Sequence, residues 1–471
     1  MKFKVTLTAI VLMMAACSSL AADWPQLRGQ NRDGKSVETG LLKEWPNDGP
    51  PLAWKIDKLG GGYSAPSIVA GRVFGMSNRG EDEVVWALSE TNGKELWVTR
   101  LGPAFAQRAS QGKEGPACTP TVDGERLYVE GLSGNVACLQ VKDGKIIWQI
   151  SMTEEFGGRV PRWSYRESPL IDGDKVICTP GGAEATLAAL DKLTGKTIWK
   201  GQMPSGSDGG SAGSGGRPGG SGSAPGGADR GRGRPGGRGG DSGRGSFGGF
   251  GGGSGGAAYS STIAIDFEGQ RQYVQLISNA LAGFASSDGK FLWRYDKPAN
   301  RFGIICATPI YHDGMVFASS AYGAGGGLVK LSKDANGGVK AEEAYATTEM
   351  QNHHGGMILL DGYLYGASGG NEGGALVCLD FKTGKVMWDQ RESAGRRAKG
   401  SVALADGRLY YRIESGTMLL IEPSPKQYIE HGRFEQPDRS RAPAWPYPVI
   451  ANGKLYIRDQ DVLLCYDVKA K

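Results

Sequence analysis

Apolar positions along this chain fall in short runs, each broken within a few residues by Gly, Asn, Asp or Thr. One class of run ends in the pattern Gly-Lys-x-x-Trp. It occurs five times, at Gly93-Lys94 with Trp97, Gly144-Lys145 with Trp148, Gly195-Lys196 with Trp199, Gly289-Lys290 with Trp293, and Gly384-Lys385 with Trp388. Ahead of each lies an apolar run such as Ala87-Leu88, Cys138-Leu139, Ala189-Leu190 or Cys378-Leu379. The pattern predicts a strand, a tight Asn-Gly, Asp-Gly or Thr-Gly turn, and a second strand ending in Trp. The turn needs glycine because one of its residues takes a positive φ.

A second element is a Gly followed by a strand carrying Phe, Tyr or Ile. It recurs eight times, with Gly71, Gly124, Gly173, Gly269, Gly314, Gly362, Gly407 and Gly453 paired to Phe74, Tyr128, Ile177, Tyr273, Phe317, Tyr365, Tyr410 and Tyr456. Upstream of most copies stands a proline, Pro66, Pro120, Pro169, Pro309 or Pro448, at the start of a strand where its missing N–H is tolerated. Each unit is then four short strands over about 45 residues, the size of a propeller blade. Blades five and seven lack Gly-Lys-x-x-Trp, which predicts looser outer strands. The last unit, from about Trp445 to Val468, stops after three strands, and a matching fourth stands early in the chain as Leu52-Ala53-Trp54-Lys55-Ile56. The expected fold is therefore all-β: an eight-bladed β-propeller closed by an N-terminal strand that completes the last blade.

Two segments fall outside this repeat. Lys2 and Lys4 precede an apolar stretch from Val5 to Ala16, too short to span a bilayer but suited to a secretory signal over residues 1–22. Cleavage after Leu20-Ala21-Ala22 and lipidation at Cys17, after Met14-Ala15-Ala16, both fit. Either places the mature chain outside the cytoplasm, in the periplasm, secreted, or membrane-attached through Cys17. No later run is long enough to span a membrane. The stretch 203–257 holds 26 Gly among 55 residues and predicts a disordered insert between blades three and four of a single domain over 23–471.

Charge follows these segments. The formal net charge is +5, but the signal lysines and the insert (six Arg against three Asp) account for it, so the repeat region is balanced. That removes the main support for nucleic acid as a partner. Cys118, Cys138, Cys178, Cys306, Cys378 and Cys465 are widely spaced without a C-x-x-C, and three recur at one repeat position. They read as buried free thiols.

The Gly-Lys-x-x-Trp repeat resembles the tryptophan-docking repeat of the pyrroloquinoline-quinone (PQQ) propeller superfamily. The opening Trp24-Pro25-Gln26-Leu27-Arg28-Gly29-Gln30-Asn31-Arg32-Asp33-Gly34 resembles the start of bacterial exported PQQ-like repeat proteins. The resemblance covers about Asp23 to Lys471 apart from the insert. It implies a PQQ-like propeller in which the repeated Trp packs between blades. The superfamily holds quinoprotein dehydrogenases and non-enzymatic members such as the outer-membrane assembly lipoprotein BamB. This chain lacks the adjacent Cys-Cys pair common in the dehydrogenases, and no motif carries their calcium ligands or catalytic Asp onto named positions here.

Loops leading into the innermost strands lie near a propeller's axis, and here they are polar and aromatic. Tyr63 precedes blade one, and Arg108 with Glu114 blade two. Arg162, Tyr165, Arg166 and Glu167 precede blade three, Asn352, His353 and His354 blade six, Arg397 and Lys399 blade seven, and Trp445 blade eight. These are the candidate ligand- or cofactor-binding residues. A His here could ligate a metal or move protons, but neighbours on a strand face opposite ways, so one of His353 and His354 is expected to pack behind the other. The arginines and Lys399 could bind a carboxylate-rich quinone such as PQQ, with calcium, or be neutralised by Glu114 and Glu167. Two functions stand: a non-catalytic envelope scaffold binding an envelope protein, peptide or polysaccharide, and a PQQ-dependent dehydrogenase oxidising an alcohol or sugar.

Overall fold

The computed structural model describes residues 22–104, 115–204, 256–391 and 398–470. These residues form eight four-stranded antiparallel sheets arranged as the blades of a propeller. In the first blade the strands are Ser67–Val69, Arg72–Arg79, Asp82–Ser89 and Glu95–Pro103, running in sequence order from the axis outward. Blades two to seven repeat that order. Among the described residues the α-helix is confined to one turn, Met152–Phe156, capped by the Ser151 side chain.

Every blade carries the same irregularity. The pairing of third and fourth strands slips by one residue at a bulge, between Ala87 and Leu88 in the first blade and between Leu420 and Ile421 in the seventh. A bulge increases local twist, and twisted sheets are the ones that pack face to face around an axis.

The eighth blade consists of Val449–Ala451, Lys454–Asp459, Val462–Asp467 and, outermost, the early strand Leu52–Ile56. Trp54 pairs with Cys465, Lys55 with Leu464 and Ile56 with Leu463, so the two ends of the chain share one sheet, as expected from the sequence.

The tryptophan that follows the bulge in six of the blades explains the repeat. Trp97 lies against Gly144 of the next blade, and a Cβ on that glycine would sit 2.5 Å from the indole. The indole N–H donates to the Val141 carbonyl at 3.1 Å. Trp54, Trp148, Trp199 and Trp388 likewise donate to carbonyls of the following blade. Trp293 departs, donating to Gln272 within its own blade.

The fifth and seventh blades correct one expectation. Their outer strands are not loose: Gly325–Lys333 pairs with Val339–Thr347 along its length, and Thr417–Glu422 with Ile429–Glu435. In the fifth blade Tyr345 takes the tryptophan's place, its hydroxyl donating to Phe381 O of the sixth blade at 2.9 Å. In the seventh the equivalent position is Gly432, and Trp45 from the N-terminal segment fills the space, edge-on to Tyr410 at 5.7 Å. The missing ring is supplied from elsewhere in the chain.

The cysteines beyond Cys17 are free thiols, all buried except the half-buried Cys306. Residues 205–255, most of the glycine-rich stretch, lie outside the described residues, as do the signal segment and Cys17. Met203 and Ala257, at the edges of that stretch, pack onto the propeller. No described helix is long and apolar enough to cross a membrane.

Candidate functional site

The N-terminal segment does more than close the ring. Trp24 pairs with Ile68 and Pro25 O accepts from Val122 N, anchoring the segment on the innermost strands of the first two blades. From there the chain crosses the axis on two buried arginines, Arg28 and Arg32, both in the left-handed backbone region at φ 59° and 57°. Arg32 donates to the carbonyls of Thr262 at 2.8 Å and Ser168 at 3.0 Å, and to that of Pro169. Arg28 donates to the Met357 carbonyl of the sixth blade and sits 5.2 Å from the Tyr447 ring. Ser36 N then reaches Leu404 O on the seventh. The segment is a strap across the channel.

Above the strap lies a cavity of about 360 Å³, with Leu27 of the strap in its floor. Its walls obey a simple rule. The residues one and three places before each blade proline face inward: Ala65 and Tyr63, Thr119 and Ala117, Ser168 and Arg166, Thr308 and Cys306, Tyr447 and Trp445. Extended backbone alternates its side chains, so this period of two is what strands approaching an axis must show. The fourth blade lacks the proline, yet Ser261 and Tyr259 keep the same spacing.

The rule sorts the candidates. Tyr63, Arg166, His353, His354 and Trp445 line the cavity. Tyr165 and Glu167, four and two places before Pro169, are turned away by the alternation. Tyr165 packs in the core and donates to Pro180 O at 2.8 Å, while Glu167 accepts from the Thr262 N–H and hydroxyl at 3.2 and 3.1 Å. Asn352 is buried behind the wall, donating to Gly356 O and Ala367 O. Arg162 lies over the Trp163 ring at 5.7 Å and does not line the cavity. Arg108, Glu114 and Arg397 lie outside the described residues.

The histidines correct a second expectation, since both line the cavity. The chain bends through residues 353–355, which breaks the alternation and brings the two rings to 3.9 Å. His354 stacks on Trp445 at 4.1 Å, and Trp445 meets Tyr63 at 4.7 Å on its other side. His353 meets Tyr322 at 5.0 Å, and Tyr322 meets Phe302 at 5.6 Å. One arc of rings thus runs from the fifth blade to the first. The opposite wall carries Trp163, Arg166 and Tyr259, tied together by Arg166 Nε donating to Trp163 O at 2.6 Å and Trp163 N donating to the Tyr259 hydroxyl at 3.2 Å.

Lys399 stands behind the arc rather than on the wall. Its ammonium touches His353 Nδ1 at 2.9 Å, Gly370 O at 2.8 Å and Glu414 at 3.3 Å. Burial, reinforced by the Lys399 charge, pushes His353 down to about 3, so the ring is neutral at physiological pH. Burial likewise holds His354 well below its ordinary value. Among the described residues no carboxylate lines the cavity, and no three or more His, Cys, Asp or Glu side chains cluster as a metal site.

Sequence reasoning passed over Tyr259, Tyr322, Cys306 and the floor residue Leu27. The spacing back from each blade proline would have found Cys306. Tyr322 follows a second strand, where nothing local marks it.

Comparison with known proteins places this geometry. Quinohemoprotein alcohol dehydrogenase ADH IIB of Pseudomonas putida is 32% identical over 161 residues, which is 32% of this chain and 21% of that protein. Outer membrane protein assembly factor BamB of Yersinia pestis is 25% identical over 159 residues, 33% of this chain and 38% of that protein. The match therefore spans well under half of each relative. Among solved structures, the quinohemoprotein alcohol dehydrogenase of Comamonas testosteroni aligns with a TM-score of 0.59 at 11% identity, covering 96% of this chain and 81% of that one. BamB of Moraxella catarrhalis aligns at 0.51 and 15%, covering 87% and 95%. These two share the fold. The family model described as outer membrane protein assembly factor BamB matches residues 81–218 and 250–390, more than half of the sequence, and the chain belongs to that family of PQQ-repeat propellers.

Proposed function

We propose that this protein is an exported, non-catalytic scaffold of the cell envelope that engages an envelope protein or peptide through the face holding the aromatic cavity. One observation carries the reading: the chain straps its own axis with Arg28 and Arg32 and leaves a cup of rings and hydrogen-bond donors with no described carboxylate on its wall. Such a cup is suited to holding a group rather than transforming one. The signal-like N-terminus supports export, with Cys17 as the lipidation point if the chain is anchored. The Yersinia relative, named for outer-membrane assembly, supports an envelope partner.

The competing reading, a PQQ-dependent dehydrogenase, draws on the Pseudomonas relative. The described residues fit its cofactor poorly. A tricarboxylate quinone with calcium calls for several cations and for carboxylate oxygens around the metal. Among the described residues the wall offers one guanidinium, Arg166, and none of those oxygens.

A photo-crosslinking residue placed at Trp163 in cells should trap an exported protein identifiable by mass spectrometry. The same residue at Ile147, exposed on an outer strand, should not. Trapping only from Ile147 overturns the proposal, as does dye reduction with alcohols or sugars after adding PQQ and calcium to purified protein.

A further inference from the structure

The hydrogen-bond directions in the cavity define the chemistry of what it takes. The Lys399 ammonium has protons and no acceptor, so His353 Nδ1, 2.9 Å away, accepts from it. A neutral imidazole has one donor and one acceptor nitrogen, so His353 Nε2 carries the remaining proton. That proton points at the Tyr322 hydroxyl oxygen, 2.7 Å away. With its oxygen accepting from His353, Tyr322 has its own O–H to give, and the side chain lines the cavity. Its backbone is held at φ 63°, a left-handed conformation unusual for a tyrosine, which the surrounding packing maintains.

The approach to the neighbouring fourth blade repeats the logic. Tyr259 accepts from the Trp163 N–H at 3.2 Å, which again leaves its O–H proton for a ligand. The Thr119 hydroxyl, on a residue 1% exposed, lines the same cavity without a partner. The floor and remaining walls mix apolar groups, among them Leu27, Ala65 and Ile304, with the polar side chains of Ser168, Ser261, Thr308, Asn371 and His354. Among the described residues the cup thus presents hydroxyl donors beside ring and aliphatic surface, one cationic side chain in Arg166, and no anion. Sugars, which carry as many donors as acceptors, suit it less than a group that only accepts.

We propose that the cavity binds an aromatic ring bearing a single carboxylate, with the Tyr322 and Tyr259 hydroxyls, from neighbouring blades, donating to the ligand's oxygens. Resting on the reading of this cup as a ligand site, the inference names the class of ligand. Lys399 and His353 are positioning residues that set the direction of the Tyr322 proton. A free aromatic acid and an aromatic residue at a polypeptide's C-terminus share this chemistry.

The test is titration of the full purified chain by calorimetry with 2-naphthoate, its methyl ester, the peptide Gly-Gly-Phe and its C-terminal amide. Saturable binding of an acid, with its ester or amide weaker by about tenfold or more, is expected, since a hydrogen bond to a charged group is worth more than one to a neutral group. A preference for the peptide over naphthoate identifies a chain terminus as the source, and the reverse a free acid. Tyr322→Phe and Tyr259→Phe should each weaken the acid about tenfold and leave the ester unchanged. Both substitutions remove one oxygen, and unchanged melting temperatures show that the fold is intact. Lys399→Met should weaken the acid less than Tyr322→Phe. No saturation at millimolar acid, equal affinity for acid and ester, or PQQ binding more than about tenfold tighter than either acid overturns the assignment. Crosslinking from Trp163 that persists when the acids fail to bind leaves the scaffold reading standing and removes only this ligand class.

Discussion

The residue two places after the second-strand aromatic is buried at a blade junction throughout the ring, and two regions use that position in opposite ways. In the seventh and eighth blades it is arginine. Arg412 reaches the Arg458 carbonyl at 2.5 Å, and Arg458 reaches Met76 O at 2.6 Å, Ser77 Oγ at 2.8 Å, Gly60 O at 3.1 Å and Ser64 O at 3.2 Å in and before the first blade. In the second blade it is Glu130, flanked by Glu83 of the first blade and Glu167 before the third. Burial lowers both arginines to about 9, which leaves them cationic at neutral pH; backbone carbonyls surround Arg458, while Arg412 bonds carbonyls through Nη1 and Gln436 through Nη2, its Nε left without a partner. The acids have fewer donors. Burial pushes Glu83 up to about 8 against two contacts with the Leu132 N–H, and Glu167 to about 7 against bonds from Thr179 and Thr262. Glu130 is raised by burial and then by its charged neighbours. The fold requires only that this position be buried, since Met76, Thr179, Gln275, Ser319 and Ala367 fill it in the other blades, so the acidic arc is sensitive to pH where the arginine arc is not.

Apolar docking is common to both arcs, and removing it should hurt both equally. Trp148→Ala in the acid arc and Trp45→Ala in the arginine arc should each cost about 3–5 kcal/mol in chemical denaturation, the range for emptying a large aromatic site. A much smaller loss for Trp45 would mean that it does not stand in for the missing outer-strand tryptophan. Next in size, Arg458→Ala should destabilise by about 3 kcal/mol, because it strands several buried acceptors at the closing junction, and the loss should be the same at pH 5 and pH 8.

The acids make the opposite statement about pH. A carboxyl whose folded pKa lies above its unfolded value holds its proton longer in the native state. Its contribution is full below the ordinary value near 4.5 and is lost as pH rises through about 7 for Glu167 and about 8 for Glu83. Urea midpoints should therefore fall between pH 5 and pH 8.5, with a slope of up to about 1.4 kcal/mol per pH unit for each group titrating. Glu83→Gln should flatten that slope, and an unchanged slope would remove Glu83 as its source. The smallest effect should come from Glu167→Gln at pH 5, below about 1 kcal/mol, since the amide oxygen can still accept from Thr262 where the acid is already neutral.

Much of the ring was legible from local pattern. Gly-Lys-x-x-Trp encodes a turn with positive φ at Gly93 and Gly144, a bulge and a docking indole, all within one hairpin. The pairing of Trp54 with Cys465 followed because three strands at one terminus and one at the other make a complete blade. The site was legible in part. Strand alternation before each blade proline selects Tyr63, Arg166 and Trp445 and turns Tyr165 and Glu167 away. His353 escaped it because a bend replaced the strand.

Local chemistry along the chain therefore determined the blades, their number and the joint that closes them, because each depends on residues near in sequence or on a simple count. Three things were decided only in three dimensions: the strap of Arg28 and Arg32 across the axis, Trp45 filling the space over Gly432, and the Lys399–His353–Tyr322 chain that aims a proton into the cup. Each joins residues from different blades, or from the strap and a blade, whose meeting depends on the curvature of the closed ring, and no hydrophobic period records that curvature.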